Sequence, residues 1–268
     1  MNGEDWRRVL TDASKEVQRK VTRVAEQGEA SKALEVGASG DTTLLADKEA
    51  ESELFKALTR IKGLRIVSEE AGSWGDPKAK LVAIVDPLDG SSNFERRIPF
   101  YCTSVAVATG GSLKDVRFGL VRNLVNGDVY WAEKGKGCTK NGEHAAPSRV
   151  TSLSDTVMDA DLSRAPPELI AGMGPLISAV KRQVHQGANA LELCFVAEGK
   201  VDAFVDLRKK MRSTDFAAAY LIATEAGATV TDSDGGVLDP ELDLAARFSF
   251  VAANNKTLHR RILELLPG

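Results

Sequence analysis

Residues 81–94, LVAIVDPLDGSSNF, constrain this chain more than any other stretch. Five consecutive apolar residues, 81–85, predict a short buried strand. Asp86 and Asp89 follow directly, and Gly90-Ser91-Ser92-Asn93 then supplies a flexible turn of small hydrogen-bonding side chains. Two carboxylates discharged from a buried strand repel each other and lose hydration unless a cation lies between them. The turn, if it opens a helix, directs free backbone N–H groups outward, which suits a phosphate. One stretch therefore offers a cation site beside an anion site. The same residues also make an ordinary strand-to-helix turn with Asp as its cap, and the stretch alone leaves both readings open.

Composition narrows the class. With 268 residues, 43% hydrophobic and 27% charged, the chain is long enough for one large core or two packed subdomains. A net charge of −3 gives no electrostatic grip on nucleic acid or on an anionic membrane. Cys102, Cys138 and Cys194 are odd in number and lack CxxC spacing, so they read as reduced core residues of a cytoplasmic protein. No apolar run approaches the roughly 20 residues of a membrane helix, and the start, MNGEDWRRVL, is charged and amphipathic rather than a signal peptide. The three histidines, His144, His185 and His259, are far apart in the sequence. They offer no evident zinc site of the His or Cys type, so a metal is expected on oxygen ligands, as Mg²⁺, Mn²⁺ or Ca²⁺. A Ser-His-Asp hydrolase is hard to assemble, and no GxSxG elbow is present.

Along the chain, Trp6, Leu10, Ala13, Val17, Val21 and Val24 recur at three- and four-residue steps and predict a helix over 5–27, stopped by Gly28. Residues 29–43 lack periodicity and read as a mobile loop carrying Asp41. Asp47 opens a second helix with Ala50, Leu54, Ala57, Leu58 and Ile61 on one face, and as its N-cap needs no other role. A short strand over 64–67 ends in Glu69-Glu70. Between 101 and 140, strand-like runs separated by glycines predict an antiparallel meander, with Val125-Asn126-Gly127-Asp128 as a two-residue hairpin signal. Beyond Pro147, helices and strands alternate. The change in pattern suggests two packed subdomains, 1–150 and 151–268.

Asp215 stands at the first turn of a helix that is apolar on nearly every face, where the macrodipole favours a negative charge. Glu69, Asp86, Asp89 and Asp215 thus all lie at ends of buried elements, where a cleft would form. Two Mg²⁺ ions about 3.5–4 Å apart would balance them and make the clamp used in phosphoryl transfer. Here the chain resembles a known family. Asp86-Pro-Leu-Asp-Gly-Ser-Ser-Asn-Phe94 is similar to the DP[ILM]DG[ST]xNF motif of the inositol monophosphatase superfamily, Glu69-Glu70 to its upstream [GS]EE motif, and Thr214-Asp215-Phe-Ala-Ala to its downstream [WT]DxAA motif. Glu225-Ala-Gly and Ala252-Ala-Asn-Asn also match, so the likeness runs over about residues 30–255. The segment 206–215, DLRKKMRSTD, resembles the archaeal branch of fructose-1,6-bisphosphatases that also hydrolyse inositol monophosphate.

The resemblance implies an α+β fold, the layered αβαβα sandwich of sugar phosphatases, and a Mg²⁺-dependent phosphatase acting on a small phosphate ester, with Mn²⁺ a possible substitute. Glu69, Asp86 and the Leu88 carbonyl would hold one Mg²⁺, Asp86, Asp89 and Asp215 a second, and a third, weaker ion would share Glu69. Asp47, Glu70 and Ser91 would act catalytically, Ser91 with Asp47 orienting and deprotonating the attacking water, so that Asp47 gains a role beyond capping. Gly90 and Ser91 N–H groups would bind the phosphate, and Ser92, Gly187, Ala188, Arg208 and Arg212 would line the substrate side. Asp41 matches the family's mobile-loop acid. Direct in-line attack of a metal-activated water, without a phosphoenzyme, follows. A homodimer is expected, with neither nucleic acid nor membrane as partner.

Two positions depart from the family pattern. Gly187-Ala188 stands for a GS or GT pair that touches the sugar, and Val184 for the Arg three residues before it, with Arg182 and His185 nearby. Arg208 stands where animal inositol monophosphatases carry a Glu that binds inositol hydroxyls. A cation there suits a second phosphate. Rival readings are a 3′-phosphoadenosine-5′-phosphate phosphatase, which the 206–215 segment opposes, and a non-catalytic sugar-phosphate-binding regulator, which the intact acidic set opposes. Asp159-Ala-Asp161-Leu-Ser163 fits the DxDx[TSV] pattern of haloacid-dehalogenase phosphatases, but at mid-chain and without a strongly apolar strand before it, so Asp161 reads as loop.

Overall fold

The computed structural model describes residues 1–38, 40 and 42–267. Helix α1 (Gly3–Glu26) opens with a capping box between Asn2 and Asp5 and buries the stripe Trp6, Leu10, Ala13, Val17, Val21 and Val24. Gly28, at φ +77, closes it as expected of a C-terminal glycine. The stretch expected as an irregular loop instead carries an antiparallel ribbon, β1 (Ala33–Val36) against β2 (Thr42–Leu44). Asp41 lies outside the described residues. Helix α2 (Leu45–Leu58) begins two residues before Asp47, which sits at the third helical position and accepts the Leu44 N–H at 2.6 Å.

Strands β3 (Leu64–Ser68), β4 (Gly72–Trp74) and β5 (Leu81–Asp89) follow, then the short helix α3 (Ser91–Glu95). The expected meander is β6 (Cys102–Ala108), β7 (Val116–Asn123), β8 (Val129–Glu133), β9 (Cys138–Lys140) and β10 (Glu143–His144). The β7–β8 connection is a five-residue loop, 124–128, rather than a two-residue hairpin. The Asn123 carboxamide accepts from the Val125 and Asn126 amides, and Leu124 N–H bonds to the Tyr101 carbonyl, which together draw residues 124–126 out of the ladder.

The second half holds β11 (Val157–Ala160), α4 (Pro167–Ala179), β12 (Arg182–Val184), α5 (Asn189–Ala197), β13 (Ala203–Met211), α6 (Ser213–Ala226), β14 (Thr229–Thr231), β15 (Phe248–Ala253) and α7 (Lys256–Leu263). Among the described residues the larger sheet runs β10-β9-β8-β7-β6-β5-β3-β4, and the smaller runs β12-β11-β13-β15-β14.

Strand alternation builds the layers. Ala83, Val85, Val105, Val107 and Leu120 face α1 and α2, while Val82, Ile84, Cys102, Ala106 and Val121 face α5 and α6. Those two helices share a core with Phe204, Phe250 and Ala252 of the smaller sheet. Its other face, with Met158, Val205 and Val251, is covered by Met173 and Leu176 of α4 and by Leu258 and Ile262 of α7. The result is the αβαβα sandwich. All three cysteines are buried and unpaired, and no helix among the described residues is long and apolar enough to cross a membrane.

The centre of this stack depends on small residues. Gly119 of β7 faces α6 so closely that a Cβ there would lie 2.7 Å from the Ala218 carbonyl oxygen and 3.2 Å from its Cα. Both atoms belong to the helix backbone, so no side-chain rotation relieves the clash. Gly119→Ala is expected to cost about 1–3 kcal/mol by overpacking, lowering the melting temperature by about 2–4 °C per kcal/mol for a chain near this size. Thermal denaturation followed by circular dichroism measures it, and an unchanged midpoint would show that helix and sheet separate freely.

Candidate active site

The β5–β6 ladder explains how Asp86 and Asp89 come to share a cleft. Asp86 pairs with Ser104 and Asp89 with Cys102, so Pro87 and Leu88 oppose Thr103 alone. Proline has no N–H for the ladder, and the strand bulges there. In a regular strand, positions three apart point to opposite faces; the extra residue brings both carboxylates to the same opening. The strand therefore extends past the expected residue 85, to Asp89. Gly90 follows at φ +88, where an added Cβ would meet the Phe100 carbonyl oxygen at 3.0 Å and the Ala188 Cβ at 3.1 Å. Only glycine fits both the backbone conformation and the space, and it starts α3.

Other elements converge on the same point. Glu69 leaves β3 beside β5, its N–H donating to the Val85 carbonyl. Buried Glu51 of α2 shapes that turn by accepting from Ser68 Oγ at 2.5 Å and the Ala71 N–H at 2.8 Å. Asp215 enters from the first turn of α6, with Thr214 Oγ1 donating to it at 2.7 Å. Asp89 receives the Asn189 and Ala190 N–H groups at 3.2 and 2.7 Å, so it caps α5 from outside the helix. The Cys102 thiol donates to it at 3.5 Å. The cleft encloses about 650 Å³ and is lined by Glu69, Glu70, Asp86, Leu88, Asp89, Gly90, Ser91, Ser92, Gly187, Arg208, Arg212 and Asp215, together with Asp161, Ser163, Arg164, Asn189 and Lys210.

Charge is concentrated here. One carboxylate oxygen each from Glu69, Asp86 and Asp215 lies within 4.8 Å of the other two. Burial, and then repulsion from its neighbours, pushes each of Glu69, Asp86 and Asp89 upward, Asp89 to about 8. Arg212 offsets part of this, donating to Glu69 at 2.5 Å with its Nε 3.8 Å from Asp215. Asp47, under the same cleft, is pushed to about 7, chiefly by burial and against the Leu44 hydrogen bond, with Glu70 and Glu51 adding repulsion. Thr43 Oγ1 donates to Glu70. A buried set of carboxylates with an all-oxygen donor character fits a hard divalent cation, and the repulsion among them is what such an ion would relieve.

The chain matches the family model described as the inositol monophosphatase family over residues 6–267. The chain belongs to this family. It is 37% identical to a fructose-1,6-bisphosphatase/inositol-1-monophosphatase from Methanothermobacter thermautotrophicus, covering 97% of this chain and 96% of the relative. It is 30% identical to a bifunctional NADP phosphatase/NAD kinase from Methanococcus maripaludis, covering 97% of this chain but 49% of that protein. A solved structure from Pyrococcus horikoshii, described as having similarities to inositol-1 monophosphatase, superimposes with a TM-score of 0.85 over the whole of both chains at 30% identity.

Within this family member, one residue expected on the substrate side is turned away from the cleft, and another lines it with its charge already engaged. Ala188 is fully buried, its methyl turned to Gly90 and the core rather than to the cleft. Arg208 lines the cleft, but its guanidinium is held by Asp206, through Nε at 2.9 Å and Nη2 at 2.7 Å, and by Asp161. It rides a wide bulge: Asp206 pairs with Phe250 and Met211 with Phe248, so residues 207–210 oppose Ser249 alone and loop toward the cleft. Arg164 and Lys210, which the family motifs do not mark, bring two further cations to the same rim. Asp161, the loop residue of the DxD pattern, reaches the cleft as Arg208's partner.

The stability of metal-free protein is expected to depend on pH through these groups. Unfolded carboxyls release protons near pH 4, whereas folded Asp47 and Asp89 hold theirs to about 7 and 8. Between those limits the folded state binds more protons, so stability falls as pH rises from about 4 to 8 and then levels. Melting temperatures in EDTA should show this slope, Asp89→Asn should flatten it, and saturating Mg²⁺ should remove most of it. A flat profile in EDTA would contradict the buried repulsion.

Proposed function

We propose that this family member is a Mg²⁺-dependent phosphatase of sugar and polyol phosphate monoesters, acting on fructose 1,6-bisphosphate and inositol 1-phosphate. The observation that carries it is the convergence of Glu69, Asp86 and Asp215 in one cleft with the glycine-initiated turn at Gly90. Glu69, Asp86, Asp89, Asp215 and the Leu88 carbonyl would hold two to three ions. When bound, the metal supplies Lewis-acid charge against the phosphoryl oxygens and lowers the pKa of a coordinated water. The chain's own residues do the rest. The Gly90 and Ser91 amides and the Ser92 hydroxyl orient the phosphate. Asp47, poised at about 7 by burial, takes the proton from the attacking water near neutral pH. Ser91, and Glu70 with its Thr43 hydrogen bond, fix the direction of attack.

The second phosphate of a bisphosphate falls to Arg164 and Lys210, because the charge of Arg208 is already matched by Asp161 and Asp206. Arg208 then acts as the strut that holds the 207–210 bulge against the 161–164 loop. The family likeness supports a cytoplasmic homodimer.

Phosphate release, with and without Mg²⁺, from fructose 1,6-bisphosphate, inositol 1-phosphate, 3′-phosphoadenosine 5′-phosphate and NADP tests the reading. Mg²⁺-dependent turnover of the first two is expected, and preference for either nucleotide would overturn the substrate class. Asp47→Asn is expected to lower kcat by about 10²–10⁴-fold, the usual weight of a general base, with the fold retained. Lys210→Ala should raise KM for fructose 1,6-bisphosphate several-fold more than for inositol 1-phosphate, which carries one phosphate. Equal changes in steady-state KM would remove Lys210 from the second-phosphate contact.

A further inference from the structure

A second cluster of metal-binding side chains lies beside the cleft, outside the acidic set. Asp159 of β11, Glu192 in the first turn of α5 and His185, just past β12, come together although the sequence separates them, so the scarcity of histidines does not prevent a nitrogen-containing site. One donor atom from each lies within 4.8 Å of the other two. His185 Nδ1 is 3.2 Å from both Asp159 Oδ1 and Glu192 Oε1, and its Nε2 is 3.4 Å from Asp161 Oδ1. Asp159 and Glu192 are fully buried. Each keeps one carboxylate oxygen, Asp159 Oδ2 and Glu192 Oε2, with no hydrogen-bond partner.

Four carboxylates, Asp159, Asp161, Glu192 and Asp206, face one guanidinium and one imidazole here. Asp161 and Asp206 share the single charge of Arg208. That leaves two buried carboxylates against one imidazole, whose single Nδ1 cannot serve both. The two carboxyl groups also approach within hydrogen-bonding reach of each other, and burial and this contact push Asp159 up to about 8 against the His185 hydrogen bond. Buried polar atoms left bare in this way are rare in folded proteins and call for an ion, a water or a shared proton.

We propose that Asp159, His185 and Glu192 form a second divalent-cation site, separate from the phosphatase cluster and suited to a first-row transition metal such as Zn²⁺. Two carboxylates with one imidazole nitrogen match the borderline character of Zn²⁺, whereas Mg²⁺ favours oxygen. The surrounding contacts complete such a site: neutral His185 would ligate through Nδ1 and donate its Nε2–H to Asp161, itself fixed by Arg208, a carboxylate–histidine–metal arrangement. The consequence reaches the cleft through Glu192. Its Oε1 accepts the Gln186 and Gly187 N–H groups, and Asn93 of α3 holds the Gln186 carbonyl at 2.7 Å. An ion at this point would pin the Gly187 rim to the turn that carries Ser91 and Ser92.

Full-length protein stripped with EDTA and saturated with Mg²⁺ would be titrated with Zn²⁺, counted by elemental analysis and followed by thermal denaturation. One Zn²⁺ per chain is expected, with a rise in melting temperature. His185→Gln should weaken that site at least tenfold and abolish the rise, while Asp86→Asn, which disables the phosphatase cluster, should leave both intact. X-ray absorption on the Zn²⁺-loaded wild type gives a second reading that needs no variant, because the phosphatase cluster contains no histidine. One imidazole in the shell supports the site. An all-oxygen shell, loss of Zn²⁺ in Asp86→Asn rather than His185→Gln, or no Zn²⁺ binding beyond the Mg²⁺ sites would overturn it, the last leaving a proton shared between Asp159 and Glu192.

Discussion

Mutual repulsion among Glu69, Asp86, Asp89 and Asp215 sets the terms on which this chain folds. Like charges within a few ångströms in a largely dehydrated cleft oppose one another strongly. The fold tolerates them because each sits where backbone geometry offers partial compensation. Asp89 takes two N–H groups at the start of α5, Asp215 occupies the first turn of α6, and the Leu88 N–H donates to Asp86 at 3.0 Å. Those two helices are also the middle layer of the sandwich. The helices that pack between the two sheets thus hold two of the four acids, Asp89 and Asp215, at their N-termini, which ties the cluster to the core.

The parts of the fold legible in the sequence are those governed by local periodicity. The α1 stripe from Trp6 to Val24 and the meander of β6 to β9 follow from spacing alone, because their burial is decided by residues within one element. The β1–β2 ribbon and β12 are not evident in the sequence because Ala33–Val36, Thr42–Leu44 and Arg182–Val184 are too short to carry a period of their own. The loop at 124–128 differs from the hairpin its Asn-Gly signal predicts because Asn123, two residues upstream of the motif, captures the turn amides with its side chain.

The acidic set was legible for a different reason. Each member ends a buried element, and a charge in that position stands out in the sequence. Side chains that act through one another were not. Nothing around Arg208 in the sequence reveals that Asp161, 47 residues earlier, neutralises it, or that the bulge opposite Ser249 turns residues 207–210 toward the cleft. Ala188 occupies the place of a motif residue that touches the sugar, yet it is buried with its methyl against Gly90. Asp159, His185 and Glu192 lie on three elements brought together by the parallel pairing of β11 with β12 and by the docking of α5.

The cleft therefore has two walls with different electrostatic logic. On the β3, β5 and α6 side, acids outnumber Arg212, the one cation lining that wall among the described residues, and an added positive charge would balance them. On the β11 and β13 side, Arg208 is matched by Asp161 and Asp206, and Arg164 and Lys210 add positive charge at the rim. Backbone strain gathers on this second wall: Arg164 at φ +58 and Lys209 at φ +56 hold left-handed conformations that residues with a Cβ rarely adopt. Ser249 Oγ fixes the Lys209 N–H at 3.0 Å, and the Lys210 ammonium reaches the Arg164 carbonyl at 3.0 Å, so two strained turns are tied together directly. A pair of strained loops braced by a buried Arg–Asp network and aimed at a cleft is a costly way to end two strands, and it makes sense where the position of the rim cations must be fixed. On the proposed reading, chemistry belongs to the first wall, where an added cation is needed, and choice of substrate to the second, whose charge is already in place.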